Sequence, residues 1–280
     1  MNPVKSRGIS STSTVVLLLV ILIVAAVGYT VYHRKYGRLF PQAGSGLPVI
    51  AEKPKPREVT FRGCPPGGDG GDRDLNLLKN RVDEGNYQPV GFDAVEKLPW
   101  PKTAERTHRS RWSYDDTEYV SRFEGLPISV EGYLAGAREE GPESPNCHGA
   151  DPADRDFHIW LVSGQSDDRD SSIVVEATPR IRASHPAWTV ESLDALVHGR
   201  QKVRISGWLM LDPEHPDQVG KTRGTIWEIH PIMKIEYMDG AGWTNLDSSP
   251  PETGDRYEDS DSNDNHGLDR RGTRSSRRLR

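Results

Sequence analysis

DFHIWL, residues 156–161, is the segment that decides the fold of this chain. The side chains of a β-strand point alternately to its two faces, so every second residue shares a face. Here the face that begins with Phe157 is wholly apolar, whereas the other face carries Asp156, His158 and Trp160. The segment therefore predicts a strand with one face in a hydrophobic core and the other available for chemistry.

Four further segments have the composition and length of strands, at residues 126–134, 172–178, 202–211 and 225–237. After the strand at 172–178, apolar residues recur at helical spacing up to Val197, and Thr189 or Ser192 is placed to cap that helix. Three strands, a helix and two strands is the order of an OB-type barrel. We therefore predict a mainly β domain with short helices, an OB-like five-stranded barrel over residues 126–246. Gly132 predicts a bulge or sharp bend in the first strand.

An apolar segment precedes this domain. No Lys, Arg, Asp or Glu occurs between Arg7 and Arg34, and residues 14–32 approach the ~20 residues that a helix needs to cross a bilayer. We predict a single transmembrane helix or signal anchor there, behind which the barrel lies in the chain. A cleavable signal peptide ending near Ala26 is the alternative, but the apolar run continues past that point. Basic residues flank both ends, so the positive-inside rule favours neither orientation.

The terminal and linking segments differ in composition from the barrel. Residues 1–13 are an N-terminal tail, and residues 33–60 are rich in Pro, Gly and charge, which is typical of a linker. Residues 247–280 are acidic and then Arg-rich, with almost no apolar residues, so we expect a disordered tail.

The segment between linker and barrel, residues 61–125, predicts a helical and irregular decoration of the barrel. Apolar residues at helical spacing predict one short helix over 75–82, with Asp74 as its cap. A second short helix is predicted over 115–123. We expect both to pack on the barrel that follows them.

Two cysteines, Cys64 and Cys147, are present, and the chain has no CxxC pair. This excludes a structural zinc site of the finger type and a disulfide-dense scaffold. One Cys64–Cys147 disulfide in an oxidising compartment and two free thiols are the alternatives left open.

The charge of the barrel region argues against a nucleic-acid partner. The whole chain has a formal net charge of −5, and residues 126–246 contain 19 Asp and Glu against 11 Lys and Arg, a net of −8. Such a surface repels phosphate, whereas a generic DNA-binding barrel is basic. We expect a protein, peptide or glycan partner instead.

Motifs in residues 126–237 resemble those of a group of uncharacterised bacterial secreted or membrane-anchored proteins with OB-like domains. The pattern of that group runs DxH(L/I), IVExxP, VxI(S/T)G, DxxH and (W)E(L/I)HP. The resemblance implies an OB-like barrel and export, with the soluble domain outside the cytoplasm on a single-pass anchor in the cell membrane. It implies no particular activity. In this chain the matching polar residues are Asp156, His158, Glu176, Ser206, Asp212, His215, Glu228 and His230.

Aromatic and cationic residues on the outward face of neighbouring strands predict a binding surface. OB barrels commonly bind ligands on the outer face of their second and third strands, and interleaved rings and cations suit stacked ligands. The candidate binding residues are His158, Trp160, Tyr133, Arg204 and Trp208.

A second hypothesis is a divalent metal site that activates water for hydrolysis. Histidine and carboxylate ligands from different strands would hold the metal, although no HExxH motif supplies two ligands from one helix. The candidate ligands are His158, Glu176 and His230, with His215 as a contribution from a loop.

A structural role for the same residues is the third hypothesis. His185, His215 and His230 each precede a proline, where an imidazole often ties down a loop. Between these alternatives we predict an anchored envelope protein whose barrel binds or scaffolds, with a metal-dependent hydrolase as the alternative.

Overall fold

A computed structural model describes residues 20–24, 46–48, 50 and 52–251 of the chain. Within these residues, no helix combines the length and the hydrophobicity required to cross a membrane. The predicted anchor at 14–32 lies outside the described residues apart from 20–24, which are helical. The N-terminal tail, most of the linker and residues 252–280 also lie outside them.

The described chain is mainly β, with short helices. The helices are α1 Arg73–Lys79, α2 Phe92–Glu96, α3 Tyr114–Ser121, α4 Pro179–Arg182 and α5 Val190–His198. The strands are β1 Gln88–Val90, β2 Pro127–Glu139, β3 Phe157–Val162, β4 Ile173–Ala177, β5 Lys202–Leu211, β6 Trp227–Asp239 and β7 Gly242–Asn245.

Five of the strands close into a mixed barrel. Neighbouring strands follow the order β2-β3-β4-β6-β5, and pairing of β2 with β5 closes the ring. Within the ring β4 and β6 are parallel, and the other pairs are antiparallel. The short β1 adds to β2, and β7 adds to β6. The prediction of a mainly β, five-stranded barrel is confirmed.

Strand β2 belongs to two halves of the barrel, and a bulge separates them. Its first half pairs with β5 and its second half with β3, and the register shifts between Leu134 and Gly136. A bulge or a sharp bend was expected at Gly132, and the bulge lies instead between Leu134 and Gly136. Gly132 answers a different need, because a Cβ there would lie 2.4 Å from the carbonyl oxygen of Val162. A close backbone approach therefore requires glycine at that position.

The apolar face of DFHIWL lies inside the barrel, as the alternation predicts. Phe157, Ile159 and Leu161 are at most 3% exposed and belong to the main core cluster. Full burial of an aliphatic or aromatic side chain stabilises a fold by about 1.5–3 kcal/mol. This face therefore commits the opposite face of β3 to the outside of the barrel.

The segment that precedes the barrel in the chain covers part of the outer surface of the barrel. Helix α1 begins two residues earlier than expected, because the Asp72 side chain, and not Asp74, accepts hydrogen bonds from the backbone N–H groups of Asp74 and Leu75. Beyond α1, the Arg81 guanidinium lies 3.4 Å from the ring centre of Trp208 on β5. Ser113 caps α3, and Thr189 is the side chain that caps α5.

A disulfide joins this covering segment to the loop between β2 and β3. Cys64 and Cys147 are bonded, with Cα atoms 5.7 Å apart. Beneath them the guanidinium of buried Arg180 donates to the Asn80 and Asn146 side chains and to the Cys64 carbonyl. The disulfide and this arginine hold the cover, the loop and α4 together.

Candidate functional site

The polar face of β3 meets the polar faces of β4 and β6 on the outside of the barrel. His158 and Glu176 are direct partners in the β3–β4 register, and Glu228 enters from β6 through its pairing with β4. Because side chains alternate, His230 shares the face of Glu228. The end of α1 and the loop that follows β2 lie over these residues, so the cluster is buried on the outer surface of the barrel.

Glu176 bridges the two histidines. Its Oε1 lies 3.2 Å from Nδ1 of His158, and its Oε2 lies 3.1 Å from Nδ1 of His230. At most 9% of each of the three side chains is exposed. The structure thus brings together three of the four residues that the sequence offers as metal ligands.

Without a bound metal, electrostatics favours the charged forms of this trio. Burial alone would lower the pKa of His158, but hydrogen bonds to Glu140 and Glu176 raise it to about 9. Burial alone would raise the pKa of Glu176, but the positive charges of His230 and His158 outweigh it and hold the pKa well below its usual range. The pKa of His230 is raised, because the charge of Glu176 outweighs the cost of burial.

A chain of alternating charges leads from this trio to the surface. His230 Nδ1 lies 3.5 Å from Glu228 Oε2, and Arg223 Nη1 pairs with Glu228 Oε1 at 2.6 Å. Arg223 Nη1 also lies 3.4 Å from Asp212 Oδ2, which is 2.7 Å from Nδ1 of His215. His215 stands at the exposed end of this chain, with 43% of its side chain accessible. It does not join the trio directly.

Asp156, the residue just before β3, also belongs to this buried cluster. Asn146 donates to its Oδ1 at 3.0 Å, and its Oδ2 is buried without a hydrogen-bond partner. Burial raises the pKa of Asp156 to about 6, against the lowering effect of the His230 charge. One ligand atom each of Asp156, Glu176 and His230 lies within 4.8 Å of the other two. This set can hold a metal ion.

Lys79 brings a buried ammonium group to the same centre from the last turn of α1. Its Nζ lies 3.6 Å from Glu214 Oε2, and 7% of the side chain is exposed. Burial lowers its pKa, but the charges of Asp212 and other nearby carboxylates raise it further, so the net shift is upward. The apolar spacing of the α1 segment gives no sign that its lysine turns inward. Lys79 was therefore not predicted as a residue of the site.

The predicted binding residues do not line one open face. Trp208 is 1% exposed, with Arg81 over its ring and its Nε1 donating to the Asp83 carbonyl. Trp160 is buried too. Its ring contacts the His158 ring, and the guanidinium of Arg169 lies 3.8 Å from the centre of the indole. The preceding segment and a loop cover both indoles, and their role in ligand binding stays a prediction.

The two other predicted residues are Arg204 on β5 and Tyr133 on β2. Arg204 pairs with Glu131 at 2.9 Å and lies 4.0 Å from the ring centre of Trp243. Tyr133 is half-buried on β2, where its register partners are Lys202 and Val162. Arg204 is engaged within the protein, on a part of the surface that does not include Trp160.

An open polar cleft of about 740 Å³ lies beside Trp160. Its wall includes Arg169, whose Nε donates to the Ala135 carbonyl at the bulge of β2. Gly136 follows with a φ of +146°, and a Cβ there would lie 2.4 Å from Arg169 Nη2. The bulge and the glycine therefore let the guanidinium lie over the indole. The other lining residues are Leu134, Gln165, Asp167, Asp168, Asp170, Val197, His198, Arg200 and Lys221.

No protein-family model matches the chain, and neither the curated proteins nor the solved structures contain a significant match. The motif residues Asp156, His158, Glu176, Glu228 and His230 nevertheless lie in one buried cluster. The family resemblance of these motifs therefore stays a prediction, and their spatial convergence is a structural finding.

Proposed function

We propose that the barrel is of the OB type. Support comes from the strand order β2-β3-β4-β6-β5, from the parallel pairing of β4 with β6, and from a helix between β4 and β5. In a five-stranded Greek-key barrel of this type, the second and third strands and the connecting loops form the usual ligand surface. Here those strands are β3 and β4.

We propose further that the protein is a binding module of the bacterial envelope, which recognises a protein, peptide or glycan. The observation that carries this proposal is the open cleft, whose wall includes Arg169 with its guanidinium over the Trp160 ring. The usual OB surface is covered on β3 and β4 by the preceding segment, so the accessible part of it is displaced toward the β3–β4 loop. A polar cleft with planar and charged donors suits hydroxyl, amide and carboxylate groups.

The charges around the cleft favour a ligand of mixed polarity. Arg169, Arg200 and Lys221 are exposed, and three aspartates of the β3–β4 loop stand among them. A strongly anionic polymer would meet these aspartates as well as the acidic barrel. Peptides and glycans carry donors and acceptors close together and match this pattern.

Immobilised peptides and bacterial glycans, probed with the labelled full-length chain in detergent, test the proposal. Arg169→Ala and Arg200→Ala should each weaken binding at least ~10-fold, since each removes one charge-assisted donor worth about 1.5–3 kcal/mol. Arg169→Lys should restore little, because an ammonium lacks the planar face that stacks on an indole. Lys97→Ala, which removes a cation from an exposed pair with Asp93, is the matched control. Equal binding by all variants would refute the cleft as the site.

A metal-dependent hydrolase is the second candidate. The bridging of His158 and His230 by Glu176 favours it, because such a trio can hold a metal that activates water. Substrate access would require the covering segment to open, since the trio is buried. Hydrolysis of p-nitrophenyl esters and phosphodiesters with added Zn²⁺ or Mn²⁺ is the test. Activity that Glu176→Gln abolishes supports this candidate, and no activity with either metal counts against it.

We propose that residues 14–32 anchor the chain in the cell membrane, with the barrel outside the cytoplasm. The apolar run supports the anchor, and the Cys64–Cys147 bond supports an oxidising compartment. Alkaline phosphatase and green fluorescent protein, each fused after Leu246, report the side on which the barrel lies. Phosphatase activity without fluorescence is the expected result, and fluorescence without phosphatase activity would reverse the orientation.

A further inference from the structure

Several polar atoms in the buried centre have no hydrogen-bond partner. They include Oδ2 of Asp156, Oε2 of Glu228 and both ring nitrogens of His230, each in a residue that is at most 1% exposed. Buried polar groups in folded proteins are nearly always paired, and each exception needs an explanation. These atoms come from β6 and from the residue before β3, on one face of the barrel, and each of the three side chains offers a lone pair to a metal when His230 is neutral.

The contact between His230 and Glu176 has an unusual form. Nδ1 and Oε2 are 3.1 Å apart, but the contact does not have the geometry of a hydrogen bond. Two ligands of one tetrahedral cation show such a separation, because ligand distances of ~2.0–2.2 Å place neighbouring ligand atoms roughly 3.3–3.6 Å apart. The third residue, Asp156, has a ligand atom within 4.8 Å of a ligand atom on each of the other two. A shift of about 1 Å would bring all three onto one ion of this size.

We propose that Asp156, Glu176 and His230 bind one divalent transition-metal cation, with Zn²⁺ as the best fit. One imidazole and two carboxylates form a nitrogen and oxygen set that zinc accepts. Calcium and magnesium take mainly oxygen ligands, and they take more of them. Oδ2 of Asp156 and one ring nitrogen of His230 are then metal ligands, which accounts for their lack of hydrogen bonds.

Neighbouring side chains orient this ligand set. Asn146 donates to Oδ1 of Asp156 and leaves Oδ2 free. Nδ1 of His158 lies 3.2 Å from Oε1 of Glu176 and 3.1 Å from Oε1 of Glu140. Hydrogen bonds of this kind hold a ligand in the orientation that a metal needs, and their loss commonly weakens metal affinity 10–100-fold.

The position of the site gives the metal a structural role. Its ligands come from β4, β6 and the residue before β3, and the disulfide-tied loop that carries Asn146 closes it. Three protein ligands leave the fourth zinc position to a water molecule, as in catalytic sites, but the covering loop closes this site to a substrate. The metal would fasten three strands to the covering loop. This inference does not depend on the binding function, and it differs from the hydrolase candidate in requiring no access for substrate.

The alternative is that the Lys79 ammonium and the histidines neutralise the carboxylates without any metal. Lys79 faces Asp212, Glu176, Glu228 and Glu214 from α1, so a cation already stands at this centre. The two arrangements differ in one measurable property. With a metal, chelation lowers the thermal midpoint of the protein and Zn²⁺ restores it; with Lys79 alone, neither treatment has an effect.

The test uses the full-length chain in detergent, stripped with chelator, dialysed and then titrated with Zn²⁺ and separately with Co²⁺. About one equivalent of Zn²⁺ should bind and raise the midpoint, and Co²⁺ should show visible absorption typical of nitrogen and oxygen ligands. Asp156→Ala and His230→Ala should lose at least ~100-fold in affinity, and Asn146→Ala about 10–100-fold. His215→Ala is the matched control, since His215 lies at the exposed end of the charge chain.

Two results would overturn the proposal. One is a wild-type protein that binds less than a tenth of an equivalent and whose midpoint is unmoved by Zn²⁺. The other is a loss of affinity in His215→Ala equal to that in His230→Ala. Should a ligand variant fail to fold, the wild-type titration and Asn146→Ala, which keeps all three ligands, still decide the question.

Discussion

His158 and Glu176 face each other across the β3–β4 pair, with Nδ1 of the histidine 3.2 Å from Oε1 of the glutamate. The two residues are direct register partners, and side chains opposite each other in an antiparallel pair lie close enough to interact. The same glutamate reaches His230 on the next strand through its other oxygen. Glu176 is therefore the residue on which the buried polar centre depends.

Replacing Glu176 with glutamine should destabilise the protein by about 3–5 kcal/mol, because it leaves charged histidines buried without their partner. Chemical denaturation followed by circular dichroism measures this loss. Glu131→Gln is the matched control, since Glu131 pairs with Lys202 and Arg204 at a surface where 41% of its side chain is exposed. Exposed pairs contribute about 0–1 kcal/mol, so equal losses in the two variants would contradict the importance of Glu176.

Trp208→Ala should cost about 3–5 kcal/mol of stability, as expected for deletion of a buried aromatic side chain. The indole is 1% exposed, covered by Arg81, and bonded to the Asp83 carbonyl. Urea denaturation with Tyr114→Ala as the exposed control measures the difference; Tyr114 is 79% exposed. A loss below about 1 kcal/mol would show that the segment before the barrel does not cover β5 in solution.

His215 should titrate above its usual pKa, because a hydrogen bond to Asp212 outweighs the burial of its ring. A histidine whose pKa is raised in the folded state stabilises the fold while it is protonated. That contribution is complete below the unfolded pKa of about 6.5 and is lost as pH rises through the folded value. The charged groups that face the ring are Asp212, Glu228 and Arg223.

Two measurements check the His215 prediction. Proton NMR should report a pKa above 6.5 in the wild type and a lower one in Asp212→Asn. In His215→Gln, the free energy of unfolding should fall less steeply between pH 6 and pH 8 than in the wild type. Identical pH profiles for the wild type and His215→Gln would contradict the assigned ion pair.

Removing the disulfide should destabilise the protein by about 4 kcal/mol, since the crosslink closes a long loop in the unfolded chain. Cys64 and Cys147 are 83 residues apart in sequence. The double variant Cys64→Ser, Cys147→Ser should unfold at lower denaturant than the oxidised wild type and at the same denaturant as the reduced wild type. A wild type indifferent to reducing agent would contradict the bond between these two cysteines.

Much of the barrel could be predicted because strand alternation is a local property. The strand over Lys202–Leu211 has the predicted bounds, and β3 has its apolar face inside as expected. The short β7 was missed, because Gly242–Asn245 has neither length nor alternation to indicate a strand and forms only by pairing with β6. The bulge at Ala135 was also missed, since its position depends on how β2 turns from β5 to β3.

The candidate site shows the same division. The alternation of side chains along each strand is enough to place His158, Glu176 and His230 outside the barrel core. These three of the four predicted metal ligands lie in contact with one another through Glu176. In the proposed ligand set, Asp156 stands with Glu176 and His230 in place of His158 and His215. Asn146 and the loop after β2 hold Asp156 inward, whereas Asp212 holds His215 near the surface. Sequence spacing contains no information on either contact.

By itself, then, the amino-acid sequence determined which residues point into the barrel and which point out, because a strand's alternation depends only on its neighbours along the chain. Only the tertiary structure decided that the outward face of β3, β4 and β6 is buried. That burial comes from residues more than 60 positions earlier, such as Lys79 and Arg81, folding back over the strands. Long-range packing of this kind turns a predicted surface into a closed polar centre and moves the open surface to the cleft beside Arg169.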